Sequence, residues 1–185
     1  MIRKLLYLTG SILLSVSLLG GPPSSVQINK DASWVQAKIF ASPPHSFTGA
    51  PAPYDLELVV DEALGSVALA KFSFKFADFT TGNKKRDKKM WEWMDLEKHP
   101  EVAFVLRRTE PVGNGFLAVG DLSLHGVVRE VAIPFSLDWK DGDFVLDGTC
   151  TIDHRDWDLK KIRMFLFSVN PVLEISIHLE GNHAD

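Results

Sequence analysis

The sequence predicts a mainly β fold: an antiparallel barrel or sandwich of about eight strands, carrying one helix. Three observations predict it. Beyond residue 50, apolar and polar residues alternate with period two in run after run, the pattern of strands with one face in a core and one in water. Short turn signals separate the runs, at Val112-Gly113-Asn114-Gly115, His125-Gly126 and Asp141-Gly142-Asp143, where glycine supplies the positive φ of tight hairpins. One segment, Asn83 to Lys98, breaks the period; it is rich in Lys, Met, Glu and Leu and lacks Gly, Pro and β-branched residues.

A first, less regular strand covers Trp34 to Phe40. Tyr54, Leu56, Leu58 and Val60 then alternate with Asp55 and Glu57. Ala68, Ala70, Phe72, Phe74 and Phe76 share one face, opposite Lys71, Ser73 and Lys75. The helix follows, with Asn83 as its N-cap, Met90, Met94 and Trp91 or Trp93 as its buried stripe, and Pro100 as its stop. Val102, Phe104 and Leu106 open the next strand, and Phe116 to Leu124 the one after. Val131, Ile133, Phe135, Leu137 and Trp139 form an inward face, as do Phe144, Leu146, Cys150 and Ile152. Leu173, Ile175, Ile177 and Leu179 close the series, and the region Arg155 to Pro171 reads as a loop with a short strand over Met164–Val169.

The chain has 185 residues, of which 45% are hydrophobic, enough for one domain with a sizeable core and too apolar for disorder. Its N-terminus reads as an address. Arg3 and Lys4 precede an apolar stretch from Leu5 to Leu19, and Gly20-Gly21-Pro22-Pro23 breaks it, the layout of a secretory signal peptide. The expected organisation is a signal peptide over 1–21, a flexible segment over 22–32, the barrel domain over 33–181 and a tail over 182–185. The expected location is periplasmic or secreted. A single cysteine, Cys150, excludes an intramolecular disulfide and a cysteine-based zinc cluster; on an alternating strand it reads as a buried, inert thiol.

A net charge of −4 argues against nucleic-acid binding. Charges of both signs on the polar strand faces (Asp55, Glu57, Lys71, Lys75, Arg107, Glu130) suit water rather than lipid. The run Lys84 to Lys89 reads as a solvated face, and the six histidines show no metal-ligand spacing. Nucleophile elbows, P-loops and dinucleotide fingerprints are absent from the sequence. The cluster from Asp153 to Asp158 reads as a surface salt-bridge network; the alternative is a hydrolase or isomerase using Asp153, His154, Asp156 or Asp158. The expectation is a protein that is not an enzyme, with no catalytic residue, no metal and no cofactor.

The inward positions are large and apolar: Phe72, Phe74, Phe76, Phe104, Leu106, Phe116, Phe135 and Trp139. Periodicity leaves open whether they fill the interior or line a hollow for a hydrophobic ligand.

Several local patterns, in order, resemble one family. Thr81-Gly82-Asn83, then Arg86-Asp87, then Pro100-x-Val102-x-Phe104 is similar to the TGN…RD…P-x-I-x-F stretch of the YceI-like proteins. The block from Gly120 to Val131 resembles their G-x-L-T-I-x-G-V-x-R-x-V, and Ile152 to Trp157 their I-x-R-x-x-[FW]-G. The closing strand Val172 to Gly181 also matches. The resemblance implies an eight-stranded, lipocalin-like antiparallel barrel with the helix inserted after the third strand. It implies export, and a binding or carrier role for an isoprenoid, quinone or fatty-acid-like chain in a hollow interior. The eight inward residues named above would line the tunnel. Arg86, Asp87, Met90, Trp93, Met94 and Arg155 would sit at the mouth or brace the helix. The protein would be a monomer or homodimer, with a membrane surface or a protein as its delivery partner. The alternative is a filled-core barrel acting as a surface interaction module through Lys84 to Lys89.

Overall fold

The computed structural model describes residues 23–42, 45–61, 64–161, 163–164 and 167–183. The expected signal peptide, 1–21, lies outside the described residues. The strands are β1 (Ser24–Ile28), β2 (Trp34–Ser42), β3 (His45–Pro51), β4 (Asp55–Asp61), β5 (Ser66–Lys75) and β6 (Phe79–Thr80). After the helix α1 (Lys84–Met94) come β7 (Glu101–Val112), β8 (Gly115–Leu124), β9 (Val127–Lys140), β10 (Asp143–Asp153), β11 (Arg163–Met164) and β12 (Phe167–His183). Pairing is antiparallel and runs β1-β4-β5-β7-β8-β9-β10-β12, and β12 returns to β1. This closes a barrel of eight strands and leaves no free edge in the ring. β2 also pairs with β12, and β3 and β6 follow it. In chain order α1 comes after β5, the third strand of the ring.

The hairpins follow the turn chemistry. His125 and Gly126 both take positive φ (50° and 74°), as do Asp141 and Gly142 (54° and 89°); two such central residues match the right-handed twist of the flanking strands. At the β7–β8 turn Gly113 takes φ 59°.

Four expectations are corrected. The segment 22–32 holds a strand: β1 pairs Val26 with His183 and Ser24 with Val60. The last residues of the long β12 would otherwise present an unpaired edge. The tail expected from 182 belongs in part to β12, which runs to His183, while 184–185 lie outside the described residues. On β5, Val67 is buried and Ala68 exposed, because the register against β4 slips between Val59 and Val60; a bulge there turns Val67 inward. The helix stops at Met94 rather than Lys98. Asp95 takes φ 49° and donates its N–H to Glu92 O, and Leu96 donates to Trp91 O, a Schellman ending with Asp where Gly is usual.

At the other end of the helix, Asn83 accepts the N–H groups of Lys85 and Arg86 at 3.1 and 3.2 Å, as an N-cap should. At the start of the region Arg155–Pro171, and including His154 just before it, residues His154–Trp157 form a 3-10 turn. Of the short strand expected over 164–169, Met164 falls in β11 and Phe167 to Val169 in β12, while 165–166 lie outside the described residues.

Two apolar clusters fill the ends of the barrel. One, around Val60, Phe135, Phe144 and Leu179, sits toward the β9–β10 hairpin. The other, around Ile39, Phe76, Phe79, Met94 and Leu159, is roofed by α1 through Met90, Trp91, Trp93 and Met94.

Candidate functional site

Between the two clusters lies a cavity of about 250 Å3. Phe72 and Phe74 of β5, Phe104 and Leu106 of β7, Ile133 and Phe135 of β9 and Ile175 and Ile177 of β12 form its walls. Met90, Trp93 and Met94 of α1, with Phe76 and Phe79, close it at the helix end. Phe72, Phe74 and Phe104 point inward yet are only half-buried: Phe72 and Phe74 touch each other at 5.7 Å between ring centroids, and all three also border the open space. The interior is therefore not filled. Lys and Arg are absent from the lining among the described residues, and the polar side chains there are few: Gln36, Cys150, His154 and Asn170. Asn170 is the one exposed lining residue among the described residues, and it marks the bulge in β12 between Val169 and Leu173.

Of the eight expected lining residues, Phe72, Phe74, Phe76, Phe104, Leu106 and Phe135 border the cavity. Phe116 and Trp139 do not. Both belong to the cluster at the far end, where Phe116 stacks on Phe135 at 5.4 Å and Trp139 on Phe144 at 5.6 Å. They lie beside the β7–β8 and β9–β10 hairpins, so the same inward alternation carries them past the cavity into the plug. The cavity also takes residues that alternation alone did not single out, among them Phe47, Phe79 and Leu159, which come from short or irregular segments.

The helix start is tied down by a polar chain. The Asp87 carboxylate is 6% exposed and accepts from Thr80 Oγ1 at 2.8 Å, Thr81 N at 3.0 Å and Thr81 Oγ1. Burial pushes its pKa up, but the hydrogen bonds from Thr81 and Thr80 and the neighbouring Arg86 charge outweigh it, holding the group below the usual carboxylate range. Arg86 donates from Nε to Thr81 Oγ1 at 2.7 Å and from its guanidinium to Thr81 O at 3.0 Å. Its guanidinium stacks 3.9 Å from the Phe47 ring centroid, a cation–π contact between helix and β3. Lys84, Lys85, Lys88 and Lys89 are exposed around it.

Arg155 stands apart from this arrangement. It is exposed, and its guanidinium is engaged by Asp153, with Nε at 2.9 Å from Oδ1. That pairing first of all holds Asp153 down to a pKa of about 2. The residue that turns inward is its neighbour His154, 2% exposed and bordering the cavity. A signal for it was available: Phe144, Leu146, Gly148, Cys150 and Ile152 are inward at every second position, and His154 continues the count. Asp156 and Asp158 are exposed, so the Asp153–Asp158 groups do not converge on His154. Cys150 lies on the same inward face, and burial pushes its thiol up to about 11. Among the described residues, His, Cys, Asp and Glu form no group of three or more able to hold a metal ion.

A closed antiparallel barrel of eight strands around an apolar cavity, capped by one helix, defines a lipocalin-like class of protein. The YceI-like domain family matches residues 27–181, and the chain belongs to that family. Burkholderia cenocepacia BcnA is similar in structure, with a TM-score of 0.73 and 20% identity over 83% of this chain and 99% of that one. The Campylobacter jejuni YceI protein gives a TM-score of 0.65 and 18% identity over 74% and 85%. A polyisoprenoid binding domain from Saccharophagus degradans, implicated in plant cell wall breakdown, gives 0.62 and 12% over 88% and 100%. At these identities the likeness shows the fold. A search of curated proteins gives no match.

Proposed function

We propose that this protein is an exported, non-catalytic carrier that holds a hydrophobic chain, an isoprenoid or other long-chain lipid, inside the barrel. The observation that carries the reading is the apolar cavity left open between two packed clusters. Each methylene moved from water into such a space gains about 0.8 kcal/mol, so a hydrocarbon chain binds with few polar contacts. The Saccharophagus degradans domain, described as polyisoprenoid binding, supports the isoprenoid class. Export rests on the Arg3–Lys4 and Leu5–Leu19 pattern. The open volume favours this reading over a filled core acting through Lys84 to Lys89. Native mass spectrometry of protein exported from a bacterial host, followed by organic extraction, tests it. A stoichiometric long-chain lipid is the expected result. A protein that emerges empty and then fails to take up isoprenoid alcohols, quinones or fatty acids rules the carrier reading out.

A further inference from the structure

His154 is the polar feature of the cavity that packing does not explain. Its Nδ1 lies 3.1 Å from the carbonyl oxygen of Leu159. A carbonyl only accepts, so Nδ1 carries the hydrogen, and in the neutral ring Nε2 is left as an acceptor. Nε2 is buried and has no hydrogen-bond partner among the described residues. Trp93 lies edge-on at 5.0 Å, but its own N–H is taken by the Lys160 carbonyl at 2.7 Å. Burial holds the imidazole below its usual pKa; Arg155 acts in the same direction, while the Leu159 carbonyl and Asp153 oppose it. The ring is therefore neutral near pH 7, and an orphaned acceptor on a residue that borders a cavity with few polar side chains calls for a donor.

We infer, resting on the carrier reading, that His154 Nε2 is the polar anchor of the cavity and accepts a hydrogen bond from a hydroxyl of the ligand. The site then selects long-chain alcohols over the matching ethers, hydrocarbons and acids. An ether or hydrocarbon has no donor to offer. A carboxylate or phosphate would set negative charge against the Nε2 lone pair, in a lining without Lys or Arg among the described residues.

The test is calorimetric titration of the purified full chain with farnesol, farnesyl methyl ether and farnesoic acid. Farnesol is expected to bind about fivefold more tightly than the ether, the size of one net hydrogen bond, and the acid more weakly than both. In His154→Phe the alcohol and the ether should bind alike. Nitrogen NMR of the unsubstituted protein gives a readout that does not depend on the variant folding: the His154 Nε2 resonance should move with farnesol and stay in place with the ether. Equal binding of alcohol and ether to the unsubstituted protein, or an unmoved resonance, overturns the inference and leaves the carrier reading standing. If none of the three binds, the inference falls, and the lipid extraction described above decides whether the carrier reading falls with it.

Discussion

His178 sits between two carboxylates, with Nδ1 2.7 Å from Asp147 Oδ1 and Nε2 3.1 Å from Glu180 Oε1, and Trp34 stacked at 5.6 Å. Both nitrogens donate, so the protonated ring is favoured; the Asp147 and Glu180 hydrogen bonds raise its pKa above the ordinary value. A raised histidine stabilises the fold fully below its unfolded pKa of about 6.5, and that contribution fades as pH rises through the folded value. His154 has the opposite sign. Its folded pKa is lowered by burial, so its contribution is complete above about pH 6.5 and is lost on acidification through the folded value. Thermal melts from pH 5 to 8.5 check both. His178→Gln should be less stable than the unsubstituted protein by about 0.5 kcal/mol in acid and equal to it in mild alkali. His154→Phe should flatten the loss of stability on the acid side. A difference for His178→Gln that grows with pH would show the two-carboxylate pairing to be wrong. The inward turn of His154 could be counted from the period of β10, whereas the carboxylate pair around His178 could not. Asp147 and His178 are distant in sequence and meet only through the β10–β12 register, which sets Asp147 opposite His178.

At the scale of elements, the closure of the barrel depends on β12 reaching β1. Gly181 pairs with Ile28 on one side and Phe144 on the other, and a Cβ there would overlap the Gln27 carbonyl oxygen and the Phe144 ring. Gly181→Val is expected to lower stability by about 2 kcal/mol, a fall in melting midpoint of roughly 6 °C. Hydrogen exchange should show the amides of β1 losing protection first; β1 amides that stay protected would mean that closure tolerates a side chain there. The helix was legible because its composition and its Asn83 cap are local signals. Its end was not: Asp95 adopts a left-handed backbone that no sequence rule assigns to Asp ahead of Gly. β1 and β3 were illegible for a related reason. β1 is short, β3 has Phe47 as its one large apolar residue, and what makes both of them strands is the edge they cover.

For the whole molecule, the prediction follows from an interior that is apolar in the middle and packed at both ends. Phe74 borders the cavity and packs within the helix-end cluster, while Phe116 lies in the far plug. Phe74→Glu places a carboxylate among apolar walls and should reduce retention of an extracted lipid about tenfold or more. Phe116→Leu should lower the melting midpoint but leave retention nearly unchanged. Extraction yields from the folded variants, checked by circular dichroism, decide it; equal retention in Phe74→Glu would place the ligand elsewhere. The sequence by itself determined the β class, the hairpin turns, the helix and the inward faces of most barrel strands, because period two and turn chemistry are properties of neighbouring residues. Only the tertiary structure decided that the interior is open, that Phe116 and Trp139 plug one end, and that β1 closes the ring. Those depend on how far along the barrel axis each inward residue falls and on which strand meets which, and an alternating pattern reads the same at every height.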